Sequence, residues 1–334
     1  MMHGGSMEGY KVYVTRMIPE KAILYLKDHY DVEVNPEDRP LERSELLDKV
    51  KNRHGIITML NDKVDAELMD QAGSQCRIFA NYAVGYNNID IPAATERAIF
   101  ISNTPDVLTD ATADMTWALL LSAARRVVEG DRTVRSGGFT GWSPLLMLGV
   151  EVTGKTLGII GAGRIGQAVA RRARGFGMKI LYTANNPRAD FERETGASFA
   201  GLNVLLSQSD FVSVHVPLTP LTHHLISVSE FAIMKESSIL INTARGPVVD
   251  EKALAEALRN GQIRAAGLDV YEREPEVEKE LLVLDNVVLC PHLGSSTLDT
   301  RERMGLMAAE NIIAALHDKI PPQCLNPQAA TKGR

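Results

Sequence analysis

The sequence predicts an α/β protein built on doubly wound parallel sheets. Short apolar runs alternate with helical stretches from Tyr10 to Pro105. A second, more apolar series of the same kind runs from Lys155 to His292. That second series opens on a glycine-rich loop, GAGRIG, set between a strand and a helix. The chain has 334 residues, long for one domain and comfortable for two.

In chain order, YKVYVTR (10–16) reads as the first strand. IPEKAILYLKDHYDVEV follows as a helix and a second strand. GIITML (55–60), CRIFANYAVG (76–85) and AIFISNTP (98–105) continue the strands, with helices at Asp65 to Ala72 and Ile91 to Arg97 between them. Pro105 marks a break. Residues 107–137 read as one long helix ended by Gly137 and Gly138, and its apolar stretch from Trp117 to Ala124 is expected to be buried against other protein. TLGIIG (156–161), KILYT (179–183), DFVSVHVP (210–217), SILINTA (238–244), AAGLDV (265–270) and VVLCPH (287–292) are the strands of the second series. Runs this apolar, separated by helices, indicate a parallel sheet covered on both faces. The last helix covers 299–316.

Apolar residues make up 45% of the chain, enough for a sizeable core, and the net charge of −6 with mixed signs argues against a nucleic-acid binder. No apolar run is long enough to span a membrane, and Met1 to Tyr10 lack the apolar segment of a signal peptide. The opening MMHGGSM reads as a tail, with Met7 as an alternative start. Cys76, Cys290 and Cys324 fall in no paired spacing and read as free thiols of a reducing compartment, which points to the cytoplasm.

Gly161-x-Gly163-x-x-Gly166 has the context that a dinucleotide-binding loop requires. Gly161 permits the tight turn, Gly163 lets backbone approach a pyrophosphate, and Gly166 allows close helix–strand contact. Free N–H groups at the helix start face the anion. Ile165, Ala168, Val169, Ala173 and Phe176 recur with helical spacing and form the packed face of the helix. The end of the next strand normally carries an acid for the adenosine ribose. Here it reads Thr183, Ala184, Asn185, Asn186, with Arg188 just beyond. Two amides and a cation where a carboxylate is missing would admit a 2′-phosphate, so NADP(H) is the preferred reading and NAD(H) the alternative. Asp190 is expected to lie past the ribose.

Three polar residues follow successive strands: Arg245 after SILINTA, Glu274 after AAGLDV, and His292 at the end of VVLCPH. Singly, each is commonly structural. At successive strand ends of one sheet they form a site, because ligands of open α/β sheets gather beyond the carboxyl ends of strands. A guanidinium binds a carboxylate through its planar fork, and a His paired with a carboxylate can hold and deliver a proton. Together they suit reduction of a 2-keto acid, the hydride going to the carbonyl carbon and a proton from His292 to its oxygen. His223 and His224 are adjacent, which is poor geometry for two ligands on one ion, so no metal site is expected.

With these residues in place, the chain resembles the D-isomer-specific 2-hydroxyacid dehydrogenases, and most the glyoxylate/hydroxypyruvate reductase branch. The stretches that carry the resemblance include NYAVGYNNIDIPAATERAIFISNTPDVLTDATAD, LINTARGPVVDEKALAEAL, AAGLDVYEREP and PHLGSSTLDTRERM, and they cover most of residues 50–320. The resemblance implies two Rossmann-like/flavodoxin-like domains. The substrate-binding domain would be discontinuous (7–105 and 295–330) and the dinucleotide domain would be 106–294, with the crossings near Pro105 and Gly294 acting as a hinge.

It further implies that Arg245 binds the substrate carboxylate and keto oxygen, that His292 is the general acid/base, and that Glu274 hydrogen-bonds it. Asp269 would lie near the nicotinamide amide. The N–H groups of Val84 and Gly85 would hold the substrate carboxylate, with Leu60 nearby. Thr112 would lie near the cofactor phosphates. Arg164, Ile165, Val216, Pro217, Thr222, Thr243, Ala244 and Gly294 would complete the cofactor contacts. Trp142 matches a loop that reaches the partner's active site in that branch, its plainer reading being a core or interface Trp. A homodimer acting on a small 2-keto acid, with no nucleic-acid or membrane partner, is the implied assembly.

Two departures and two alternatives stand beside this. NADPH-using glyoxylate reductases often carry Arg where this chain has Asn185. Glu274 speaks against the formate dehydrogenase branch, which places Gln by its His. The alternatives are a family member acting on a larger 2-keto acid and a dinucleotide-sensing, corepressor-like binding protein.

Overall fold

The computed structural model describes residues 9–332; the expected tail at the N-terminus and the alternative start at Met7 lie outside them. The chain divides into two compact units. One consists of the residues through Leu108 together with those from Ser296 onward, the other of Thr109–Ser295.

In the first unit, β1 (Lys11–Val14), β2 (Asp31–Val34), β3 (Gly55–Thr58), β4 (Ile78–Asn81) and β5 (Phe100–Ser102) form a parallel sheet in the order β2-β1-β3-β4-β5. This is the order of flavodoxin-like folds. β3 and β4 are buried throughout, as apolar strands covered on both faces must be. The helix Leu298–Leu316 returns to this unit and packs on the helix Glu20–Lys27 and on β4. Asn326 then ties the C-terminal segment to the sheet: its side chain accepts from the Ile101 N–H and donates to the Ile99 carbonyl.

The second unit holds β6 (Thr156–Ile160), β7 (Lys179–Thr183), β8 (Ser198–Phe199), β9 (Phe211–Val214), β10 (Ile239–Asn242), β11 (Ala265–Leu268) and β12 (Val287–Leu289). All are parallel, in the order β12-β11-β10-β9-β6-β7-β8. From β6 the chain builds outward first on one side and then on the other, so the topological switch lies between β6 and β9. Alternate strand residues enter separate cores. Leu157, Ile159, Phe211, Ile239 and Ile241 face the helices Thr109–Arg125 and Arg164–Ala173, whereas Ile160, Val212, Val214 and Leu240 meet Leu205, Phe231 and Leu254. Trp117 stacks on Phe176 at 4.7 Å between ring centroids and donates its indole N–H to the Val169 carbonyl.

The long helix expected over 107–137 is instead two: Thr109–Arg125 and Val127–Arg135. Arg126 between them takes the left-handed conformation, with φ of 54°. The cause is a distant one. The Ala124 carbonyl, which a continuous helix would offer to the Val128 N–H, accepts instead from the Val150 N–H at 2.7 Å. The apolar stretch is buried as expected, with Trp117, Leu119, Leu120, Ala123 and Ala124 all in the core. The two-residue edge strand β8 was not anticipated. Among the described residues no helix is long and apolar enough to cross a membrane.

Candidate active site

β10, β11 and β12 are neighbours in the sheet, so the loops that leave their carboxyl ends emerge side by side. These loops carry Arg245, Glu274 and His292. Asn242, buried at the end of β10, shapes the first of them: its side chain accepts from the Ala244 N–H and donates to the Arg245 carbonyl. The next residue, Gly246, is pressed onto the following loop. A Cβ there would lie 1.8 Å from the Tyr271 carbonyl carbon, so no other residue fits. Burial pulls the Arg245 guanidinium below its ordinary pKa, and the nearby Glu274 carboxylate opposes that pull.

Glu274 accepts from the Tyr271 N–H at 3.0 Å through Oε1 and faces Nδ1 of His292 at 2.9 Å through Oε2. Burial raises the Glu274 pKa, but the hydrogen bond and charge of His292, the Tyr271 N–H and Arg245 outweigh it. The net position is below the ordinary carboxylate value, so the group is ionised. His292 sits in the left-handed region at φ 56°, an unusual place for a non-glycine residue. The turn that holds it there is clamped by Asp269, buried at the end of β11. Asp269 accepts from the Leu293 N–H at 2.6 Å and from the Gly294 N–H at 2.7 Å, one with each oxygen. Nε2 of His292 has no hydrogen-bond partner among the described residues.

The dinucleotide loop fits its expected ligand by geometry. Gly161 has φ of +100°, and a Cβ on it would come within 2.8 Å of the His215 backbone. A Cβ on Gly166 would lie 2.2 Å from the Gly161 carbonyl, whereas Gly163 opens onto space at the N-terminus of its helix. That is a tight cradle with one open side, as an approaching pyrophosphate requires. Arg164 is exposed beside it and Ile165 packs inward.

Beyond β7, Asn185, Asn186 and Arg188 are all exposed, and Ala184 packs on the core. The Arg188 N–H donates to the Tyr182 hydroxyl, which in turn donates to Glu192. The exposed Asp190 pairs with Arg193. After β9, Val216 packs on the core, and the Thr222 hydroxyl closes the loop on the Pro217 carbonyl at 2.7 Å. The Thr243 hydroxyl is within hydrogen-bonding distance of that of Thr116, at 2.8 Å. Thr112 is buried beside Gly294.

In the first unit, Leu60 is exposed after β3. The carbonyls of Val84 and Gly85 accept from the side-chain amides of Asn103 and Asn81. The N–H groups of Val84 and Gly85 have no acceptor among the described residues. Trp142 is 84% exposed, on an irregular segment that also exposes Phe139, Leu145, Leu146 and Leu148.

A model of the D-isomer-specific 2-hydroxyacid dehydrogenase NAD-binding domain matches residues 117–294, just over half of the chain. The chain belongs to the D-isomer-specific 2-hydroxyacid dehydrogenases. It is similar to a glyoxylate reductase of Thermococcus kodakarensis, 52% identical over 320 residues that span 95% of this chain and 96% of that one. Among solved structures it resembles a Thermus thermophilus protein at 45% identity and a TM-score of 0.90, covering 94% and 99% of the two chains. It also resembles an NADPH-dependent glyoxylate/hydroxypyruvate reductase of Sinorhizobium meliloti, in complex with NADP and malonate. That match has 31% identity and a TM-score of 0.84, covering 96% and 98%. As a member of this family the protein is an oxidoreductase, and Thr109–Ser295 includes its dinucleotide-binding fold.

Several features of the two units escape a reading of the sequence. Asn242, Gly246, Asn81 and Asn103 act on neighbouring backbone, a role their residue types do not announce. His224, Asp250 and Glu272, from three separate loops, each bring a ligand-type atom within 4.8 Å of the others.

Proposed function

We propose that the protein reduces glyoxylate or hydroxypyruvate to the 2-hydroxy acid, with NADPH as the preferred reductant. The observation that carries this reading is the triplet itself: a guanidinium, a carboxylate and an imidazole on three adjacent strand ends, with His292 Nδ1 on Glu274 and Nε2 left open. The bound nicotinamide supplies the hydride. Arg245 orients the substrate through its carboxylate and polarises the keto group. His292, oriented by Glu274, gives the keto oxygen its proton from Nε2. Asp269 holds the turn on which His292 stands and would lie near the nicotinamide amide, while Thr112 would lie near the cofactor phosphates and Gly294 would add a further cofactor contact. The N–H groups of Val84 and Gly85 hold the substrate carboxylate, beside Leu60. Their lack of an acceptor supports the role.

For the cofactor, Gly161, Gly163, Arg164, Ile165 and Gly166 take the pyrophosphate, and Val216, Pro217, Thr222, Thr243 and Ala244 line the rest. The exposed amides of Asn185 and Asn186 and the Arg188 cation support NADP(H), since residues 184–188 directly after β7 hold no carboxylate to repel a 2′-phosphate. NAD(H) is the second reading, favoured by the absence of Arg at position 185. The exposed apolar segment around Trp142 supports a homodimer, because patches of this kind mark interaction surfaces. Initial rates with glyoxylate, measured side by side with NADPH and NADH, test the proposal. Faster NADPH oxidation is expected; an NADH preference would overturn the phosphate-pocket reading, and no rate with either would overturn the substrate.

A further inference from the structure

His224, Asp250 and Glu272 come from the loops that follow β9, β10 and β11, and they meet on one imidazole ring. Nε2 of His224 is 3.2 Å from Oε2 of Glu272, and Nδ1 is 3.8 Å from Oδ2 of Asp250. Both carboxylates are anchored independently of the ring. Asp250 accepts from the Ala253 N–H at 3.1 Å and from the Ser227 hydroxyl at 2.9 Å. Glu272 accepts from the Glu251 N–H at 2.8 Å, and Glu251 in return accepts from the Glu272 N–H at 2.7 Å. The His224 backbone is fixed too: its N–H donates to the Pro247 carbonyl at 2.8 Å, and its φ of 50° is a conformation non-glycine residues seldom hold. Two carboxylates, those of Asp250 and Glu272, therefore flank one ring.

We propose that this cluster is a latch that fixes the loop bearing Glu274 against the loop bearing Arg245, and that His224 is thereby a positioning residue for the reaction. Glu272 stands two residues before Glu274, and Asp250 five after Arg245. The same two loops are already pressed together at Gly246 and Tyr271. A small rotation of the Glu272 backbone would carry Glu274 away from His292. The inference rests on the acid/base reading of Glu274 and His292.

Steady-state kinetics of the full-length protein with glyoxylate and NADPH test it, comparing His224→Ala, His224→Gln and Glu272→Gln with His292→Ala as reference. Misplacing a reacting group by a fraction of an ångström lowers kcat, so His224→Ala is expected to lose roughly tenfold to a hundredfold in kcat with little change in the KM for NADPH. His224→Gln, whose amide can still donate to Glu272, is expected to recover much of that loss, and Glu272→Gln to lose kcat as His224→Ala does. Unchanged kcat in a folded His224→Ala, with turnover abolished in His292→Ala, would overturn the latch and leave the acid/base reading standing. Full turnover in His292→Ala would overturn that reading instead. Loss of wild-type kcat in EDTA, restored by Zn²⁺ only when His224 is present, would overturn the latch in favour of a cation site.

Discussion

Nδ1 of His292 faces Oε2 of Glu274 at 2.9 Å, and the same carboxylate is tied through Oε1 to the Tyr271 N–H. The pair thus has one anchored and one open end: Glu274 is tied to its own loop, and Nε2 of His292 has no hydrogen-bond partner among the described residues. Replacing Glu274 by Gln keeps the size but removes the carboxylate charge beside Nδ1 of His292. The expected loss in kcat is about a hundredfold, the ordinary worth of a positioned proton donor. Stopped-flow or steady-state rates at saturating cofactor measure it.

Asp269 gives one oxygen each to the N–H groups of Leu293 and Gly294. Asp269→Asn puts an amide NH₂ against one of those donors and leaves a buried N–H without a partner. Such a loss costs about 1–3 kcal/mol, which a denaturant midpoint detects. The His292 turn is expected to loosen with it, lowering kcat.

The His215 ring, its Nε2 2.8 Å from the Ser213 hydroxyl, has its pKa pushed down by burial from 6.5 to about 3. Well above pH 6.5 the ring is neutral in both folded and unfolded chains and contributes nothing to pH dependence. As pH falls below that value, the unfolded chain takes up a proton that the folded one refuses, so stability falls until about pH 3 is reached. The slope is about 1.4 kcal/mol per pH unit. Urea melts of the wild type and His215→Gln between neutral and mildly acidic pH are expected to diverge, the variant losing less stability.

How much of this was legible in the sequence follows from the range of the interactions involved. Gly161, Gly163 and Gly166 announce themselves because the strand, turn and helix they serve are contiguous. That the loops bearing Arg245, Glu274 and His292 lie together was legible because each of these loops leaves the carboxyl end of an apolar strand, and β10, β11 and β12 are neighbours. The break at Arg126 was not, since it depends on Val150 capturing the Ala124 carbonyl from far along the chain. The meeting of His224 with Asp250 and Glu272 was hidden likewise, because three loops must be folded before the ring has its carboxylates. Beside His223 in the sequence, His224 suggests only a metal ligand.

The segment bearing Trp142 exposes five large apolar residues with no regular structure of its own. If it closes on a second copy, Trp142→Ser together with Leu145→Ser is expected to shift the sedimentation coefficient from dimer to monomer. An unchanged dimer would place the interface elsewhere.

Whether the three strand-end residues carry the reaction is decided by glyoxylate-dependent NADPH oxidation in the wild type, His292→Ala and Arg245→Ala, each shown to be folded by its melting curve. Rapid wild-type turnover is expected, with kcat reduced at least about a hundredfold in His292→Ala and kcat/KM for glyoxylate collapsing in Arg245→Ala. Undiminished turnover in both variants would contradict the assignment of these residues to catalysis.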